Sequence, residues 1–139
     1  VVQILGVVLD HPGYVALLME RADYGSLRDA LDDHGALVAT KADVQLRLAL
    51  HIAEGMAYLH AREPPMLHHD LKSANVLLFA GPGGAQTARG PPQLDEGSVR
   101  HLQAKLCDFG LASGLGTNGK LLKTGSTLSG NMKCVERER

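Results

Sequence analysis

The stretch Met66-Leu-His-His-Asp70-Leu-Lys72-Ser-Ala-Asn75-Val-Leu-Leu78 constrains this chain more than any other. Before it, a stripe of apolar residues at helical spacing runs to His60, and Pro64-Pro65 then forces the backbone out of helix. After it, Val76-Leu-Leu78 reads as a short strand. Asp70, Lys72 and Asn75 therefore share one loop between a helix and a strand. A carboxylate that can take a hydroxyl proton, an ammonium that can neutralise phosphate and an amide oxygen that can hold Mg²⁺ are what phosphoryl transfer asks of a single loop.

A match of that length needs support elsewhere, and Lys105-Leu-Cys107-Asp108-Phe109-Gly110-Leu-Ala supplies it as a short strand running into a second carboxylate. The two stretches, in this order, resemble the protein kinases. That family's catalytic loop reads His-Arg-Asp-Leu-Lys-x-x-Asn, matched here from His68 to Asn75 everywhere but at His69, and its Asp-Phe-Gly is matched at Asp108 to Gly110. With weaker matches upstream, the resemblance covers Val1 to Ala112.

The resemblance implies an α+β, protein-kinase-like fold that is incomplete. Residues 1–19 would be the last strands of the N-terminal lobe, 20–25 the hinge, 26–79 the helices and catalytic loop, and 99–112 the strand with Asp-Phe-Gly. Residues 113–139 would be an activation-segment-like stretch and a divergent tail that lacks the family's Ala-Pro-Glu. The implied reaction is transfer of the ATP γ-phosphate to a protein Ser or Thr hydroxyl, with Mg²⁺. Asp70 would take the hydroxyl proton, Lys72 would stabilise charge on the moving phosphoryl group, and Asn75 and Asp108 would supply oxygens to Mg²⁺. ATP would further meet Met19 at the back of the adenine pocket, backbone groups of Glu20 and Ala22, Ser26 near the ribose, and Leu77. Lys72 after Asp70-Leu71 resembles the serine/threonine-directed loop, and Glu54-Gly-Met-Ala-Tyr-Leu-His60 looks most like the tyrosine-kinase-like group. His69 lacks the guanidinium fork with which the family's Arg pairs an activation-loop phosphate, so control through that pairing is not expected. His68 matches the family's structural histidine and is expected against Phe109.

The remaining chain is read from its residues. Val1–Leu9 and Tyr14–Met19, separated by Asp10-His-Pro-Gly13, read as a β-hairpin. Ser26, with Asp29 three residues on, is a capping box opening a short helix that Gly35 ends. Val44, Leu48, Ile52, Met56 and Leu59 mark the buried face of a longer helix, with His51 and His60 on its surface or at its cap. Gly, Pro and polar residues dominate 80–98, a composition read as a disordered insertion, with Val99–Leu102 joining the strand that follows. Gly114-Leu-Gly-Thr-Asn-Gly119 fits a dinucleotide-loop pattern but lacks the helix and second strand that such a site needs, and reads instead as flexible activation segment. Lys123-Thr-Gly-Ser126 is a candidate start of a peptide-holding segment.

A formal charge of -1 with mixed signs gives no electrostatic case for nucleic acid or an anionic membrane surface. Cys107 and Cys134 form neither a metal spacing nor a disulfide framework, which points to a reducing compartment, the cytoplasm. No apolar run approaches the ~18 residues of a membrane span, which leaves open a span elsewhere in a longer protein. A complete kinase domain is considerably longer than 139 residues, so a piece is expected. Two functional readings follow: an incomplete record of an active serine/threonine kinase, or a truncated, non-catalytic chain that binds nucleotide weakly or works through protein contacts. The glycine-rich loop, the Lys for the α/β-phosphates and its Glu partner have no counterparts here, so the isolated chain is expected to be inactive, and the apolar face of the Val44–Leu59 helix is expected to be short of packing partners.

Overall fold

The computed structural model of the chain describes residues 1–11, 14–82, 93–116, 118–122 and 132–136. In chain order these form β1 (Ile4–His11), β2 (Tyr14–Met19), α1 (Leu27–Ala39), α2 (Ala42–His60), β3 (Met66–Leu67), β4 (Val76–Ala80), β5 (Leu102–Leu106), β6 (Ser113–Leu115), β7 (Leu121–Leu122) and β8 (Met132–Glu136). Single 3₁₀ turns, Ser73–Asn75 and Ser98–His101, precede β4 and β5. The strands pair in small sheets, β1-β2-β8, β3-β6-β7 and β4-β5, so the architecture is the mixed α and β of an incomplete kinase-like fold.

The expected hairpin is β1 against β2, antiparallel from Ile4↔Met19 to His11↔Tyr14. Its other neighbour is β8, which pairs parallel with β2 from Val15↔Met132 to Met19↔Glu136. The divergent tail thus supplies a strand that nothing in its own residues announces.

α2 carries the fold. Val44, Leu48 and Leu59 are buried, Ile52 and Met56 half-buried, and the stripe they make packs on β5 and β4 around Leu78, Leu102 and Leu106. Each fully buried Leu contributes about 1.5–3 kcal/mol over leaving it in water. Gly55 lets the helix approach, because a Cβ there would lie 3.0 Å from Leu106 Cδ1. The expectation that this face lacks partners is therefore corrected: the exposed apolar residues of α2, Leu46, Leu50 and Tyr58, lie off the stripe.

Three boundaries shift from expectation. The Ser26–Asp29 capping box opens α1 as foreseen, but the helix runs past Gly35 to Ala39 with a kink at His34 (φ −131°), because Leu37 and Val38 reach the core. The break at His34 sits beside the Gly35 stop, so a first helical piece ends about where expected and a second one carries on to Ala39. The insertion narrows from 80–98: Ala80 closes β4, and 93–98 fold back with Leu94 buried and Ser98 capped by Asp95, while 83–92 lie outside the described residues. Val99 belongs to the 3₁₀ turn, and β5 begins at Leu102. The returning segment is tied to α2 by Lys41–Glu96 and by Arg47 donating to the Arg100 carbonyl.

Candidate active site

The loop after β3 is built on a buried histidine. His68 is 1% exposed; its Nδ1 accepts the Asp70 N–H at 3.3 Å and its Nε2 lies 3.0 Å from the Cys107 carbonyl. The two contacts fit a ring with its proton on Nε2. Phe109 packs on it at 5.1 Å between ring centroids, as the sequence leads one to expect. One imidazole thus fixes the backbone at Asp70 and at Cys107, the residue before Asp108.

Around that anchor the polar side chains converge. Lys72 Nζ is 2.7 Å from Asp70 Oδ2, and Asn75 Nδ2 donates to Asp70 Oδ2 and to the Asp70 carbonyl, both at 2.9 Å. The ammonium of Lys72 and the amide of Asn75 hold the Asp70 carboxyl below the usual carboxylate range, and the same contact with Asp70 raises Lys72. The Asn75 amide nitrogen faces Asp70, so its side-chain oxygen is the group left for a cation.

Asn75 also fixes the neighbouring strand, its carbonyl accepting the Cys107 N–H at 3.0 Å, and β4–β5 pairing sets Val76 opposite Leu106. Asp108 follows, exposed, with φ +59° and Oδ1 accepting the Gly110 N–H at 3.2 Å. Its charge reaches Lys72. His69, at φ +63°, is the other non-glycine residue in the left-handed region among the described residues. Two such backbones flanking one loop are the kind of strain that collects at functional sites.

The residues expected near adenine divide. Met19, Ala22 and Leu77 meet in one apolar cluster with Val2, Phe79 and Cys107. Glu20 turns its carboxylate to Lys105 Nζ at 2.7 Å, and its N–H donates to the Gln3 carbonyl. Ser26 is engaged in the capping box, while the backbone beside it bonds to β4, Tyr24 N–H to the Leu78 carbonyl and Leu78 N–H to the Gly25 carbonyl. The segment 20–26 is therefore sewn to the strand that leaves the catalytic loop. Sequence reasoning missed Lys105, which also lies 4.4 Å from the Phe79 ring centroid, and the only signal was one charge in an apolar strand.

The described residues of Gly114–Gly119 contain no helix: Gly114 lies in β6, which pairs with β3 and β7, and the Gly116 N–H meets the Lys120 carbonyl. The expected flexible segment is a small hairpin across its described residues. Lys123–Ser126 lie outside them.

A strand-framed loop with a held carboxylate, an adjacent ammonium and an amide, next to a second carboxylate, is the arrangement of a protein-kinase-like domain. The sequence profile described as protein tyrosine and serine/threonine kinase matches residues 1–133, further than the motifs alone reach. The chain belongs to this family. It is 41% identical over 88 residues to a dual specificity protein kinase, splA, of Dictyostelium discoideum, covering 63% of this chain and 3% of that protein. It is 32% identical over 126 residues to a receptor-like protein kinase of Arabidopsis thaliana, covering 90% and 12%, and 35% identical over 79 residues to the mouse serine/threonine-protein kinase TNNI3K, covering 57% and 9%. The chain thus spans a small part of the relatives it matches. Protein kinases in general use ATP and a divalent metal. Among the described residues no helix is long and apolar enough to cross a membrane.

Proposed function

We propose that this chain carries the catalytic loop and metal-binding half of a serine/threonine kinase, which transfers the γ-phosphate of ATP to a protein Ser or Thr hydroxyl. The observation that carries the reading is the hydrogen-bonded set Asp70, Lys72 and Asn75, with the charge of Asp108 felt at Lys72. Asp108 and Asn75 offer carboxylate and amide oxygens, the hard donors Mg²⁺ takes alongside phosphate oxygens and water, so the residues fit the ion. Bound there, it would neutralise charge on the phosphates.

Asp70 orients the substrate hydroxyl. It takes the hydroxyl proton as the oxygen–phosphorus bond forms and the bond to the leaving β-phosphate oxygen breaks. Lys72 leaves its contact with Asp70 to meet the transferring phosphoryl group. Met19, Ala22 and Leu77 form the apolar surface for adenine, and backbone groups of Glu20 and Ala22 read its edge. Ser26 supports the ribose contact only by leaving its capping role. Partners under this reading are ATP and a protein Ser/Thr substrate, and the compartment is the cytoplasm, where ATP and reduced thiols coexist.

The alternative, a chain that binds nucleotide weakly or works through protein contacts, is favoured by one observation. Ile4, Leu5, Val7, Val8 and Leu9 of β1 are all exposed, an apolar strand of the kind that meets another protein surface.

Labelled Mg²⁺–ATP with a mixture of Ser- and Thr-containing peptides decides between them. Even slow transfer by the parent chain, falling about 10²–10⁴-fold in Asp70→Asn, supports the kinase reading. Nucleotide binding without transfer in the parent favours the alternative.

A further inference from the structure

At the far end of β4 and β5, where Ala80 faces Leu102, lies a cavity of about 200 Å³. That is several times the about 30 Å³ a water molecule occupies in the liquid. The catalytic loop meets the opposite end of the same strand pair, where Val76 faces Leu106, so about 13 Å of strand separates the two. The cavity is lined by Arg47, His51, Gly81, Arg100, His101 and Gln103 among others, and among the described residues no carboxylate lines it.

Arg47 and His51 are held by hydrogen bonds. Arg47 donates through Nη1 to the Arg100 carbonyl, and its Nη2 lies 3.5 Å from Asp43, so its charge is partly answered. Among the described residues the Arg100 guanidinium has no ion-pair partner. His51 Nδ1 accepts the Ala104 N–H at 3.3 Å, which makes its Nε2 the donor. The rim is rigid: the Gly81 N–H donates to the His101 carbonyl at 2.7 Å, and a Cβ on Gly81 would lie 2.4 Å from that oxygen.

We propose that this cavity is an anion subsite that takes a phosphate monoester, gripped by the fork of Arg100 with Arg47 and the His51 N–H beside it. Guanidinium forks match phosphate oxygens two at a time, and two arginines without a lining carboxylate favour a doubly charged group over a single carboxylate. The cavity is open to solvent and lies at the other end of the strand pair from the catalytic loop, so a phosphate on a partner peptide reaches it as readily as a free one. It would hold a phosphorylated partner while the catalytic loop stays accessible.

The test follows backbone amide resonances of Gly81 and Gln103 in the full 139-residue chain, with Asn75 and Asp108 as reporters of the nucleotide region. The probes are inorganic phosphate, N-acetyl-phosphoserine amide, and sodium chloride at matched ionic strength. Saturable shifts at Gly81 and Gln103 with both phosphate probes are expected, weakened about tenfold or more in Arg100→Gln and kept in part by Arg100→Lys. Tighter binding of the phosphoserine probe supports a peptide-borne source, and equal binding a free phosphate. Equal shifts with chloride, unchanged affinity in Arg100→Gln, or shifts confined to Asn75 and Asp108 would overturn the proposal.

Discussion

His69 Nε2 lies 2.6 Å from Ser113 Oγ, tying the residue before Asp70 to the strand that follows Asp108-Phe-Gly. Backbone pairing continues the tie, with Leu67 opposite Ser113 and the Leu115 N–H on the Pro65 carbonyl at 2.7 Å. His69 thus contacts the following segment through a hydroxyl, in place of the guanidinium–phosphate pairing the family's Arg makes. Ser113→Ala should cost about 0.5–1 kcal/mol, an exposed contact falling at the low end for a hydrogen bond. Faster hydrogen exchange at Gly114 and Leu115, with other amides unchanged, would register the loss; unchanged exchange would mean the pair holds nothing.

Glu20 and Lys105 join the segment after β2 to β5 at 2.7 Å, with both side chains largely shielded from solvent. Burial alone pushes the Glu20 carboxyl up, but the Lys105 ammonium and the Gln3 N–H outweigh it, and the net shift is downward. A lowered carboxyl gives stability that is full above the ordinary glutamate range and is lost as pH falls through the lower, folded value. Lys105→Met should therefore destabilise the chain at neutral pH by about 1 kcal/mol, the contact discounted for solvent screening, with the deficit shrinking in acid. Urea melts at neutral and acid pH measure it.

Elements that rest on local chemistry were legible in the sequence. The Ser26–Asp29 box needs only two side chains, the Val44–Leu59 stripe only a period, and the Asp70–Asn75 loop only its spacing. What escaped depends on distant partners. The helical residues beyond the His34 break have no signal until Val38 is seen in the core, Leu94 reads as loop until it is seen buried, and β8 exists only against β2. The candidate site divides the same way: the Asp70–Lys72–Asn75 contacts follow from one loop, whereas Lys105 and Ser113 enter from other strands.

Gly81→Ala should loosen the end of β4–β5, since the new Cβ would fall 2.4 Å from the His101 carbonyl oxygen, a backbone atom that cannot step aside. A loss of about 1–3 kcal/mol is expected, as for other overpacked sites. Thermal melts compared with Gly35→Ala, where a Cβ meets nothing within 4 Å, separate this clash from a general effect of losing glycine.

Asp70 and Lys72 titrate as partners. Lys72→Met removes the largest influence holding the Asp70 carboxyl down, so its titration midpoint should rise toward the ordinary aspartate value. Because the folded value is lowered, the stabilising contact is present above the ordinary range and lost as pH falls through the folded value. Carboxyl-carbon NMR of Asp70 in parent and Lys72→Met follows this directly, and an unmoved midpoint would contradict the pairing.

The proposed function requires the described residues to form a nucleotide and metal site around Asp108 and Asn75. A thermal-shift titration with Mg²⁺–ATP, run beside Asp108→Ala, tests it most directly. A cooperative melt that rises with nucleotide, by about 2.7 kcal/mol in stability at a hundredfold excess over the dissociation constant, and fails to rise in the variant is predicted. A parent melt indifferent to Mg²⁺–ATP, or an equal rise in Asp108→Ala, would contradict it.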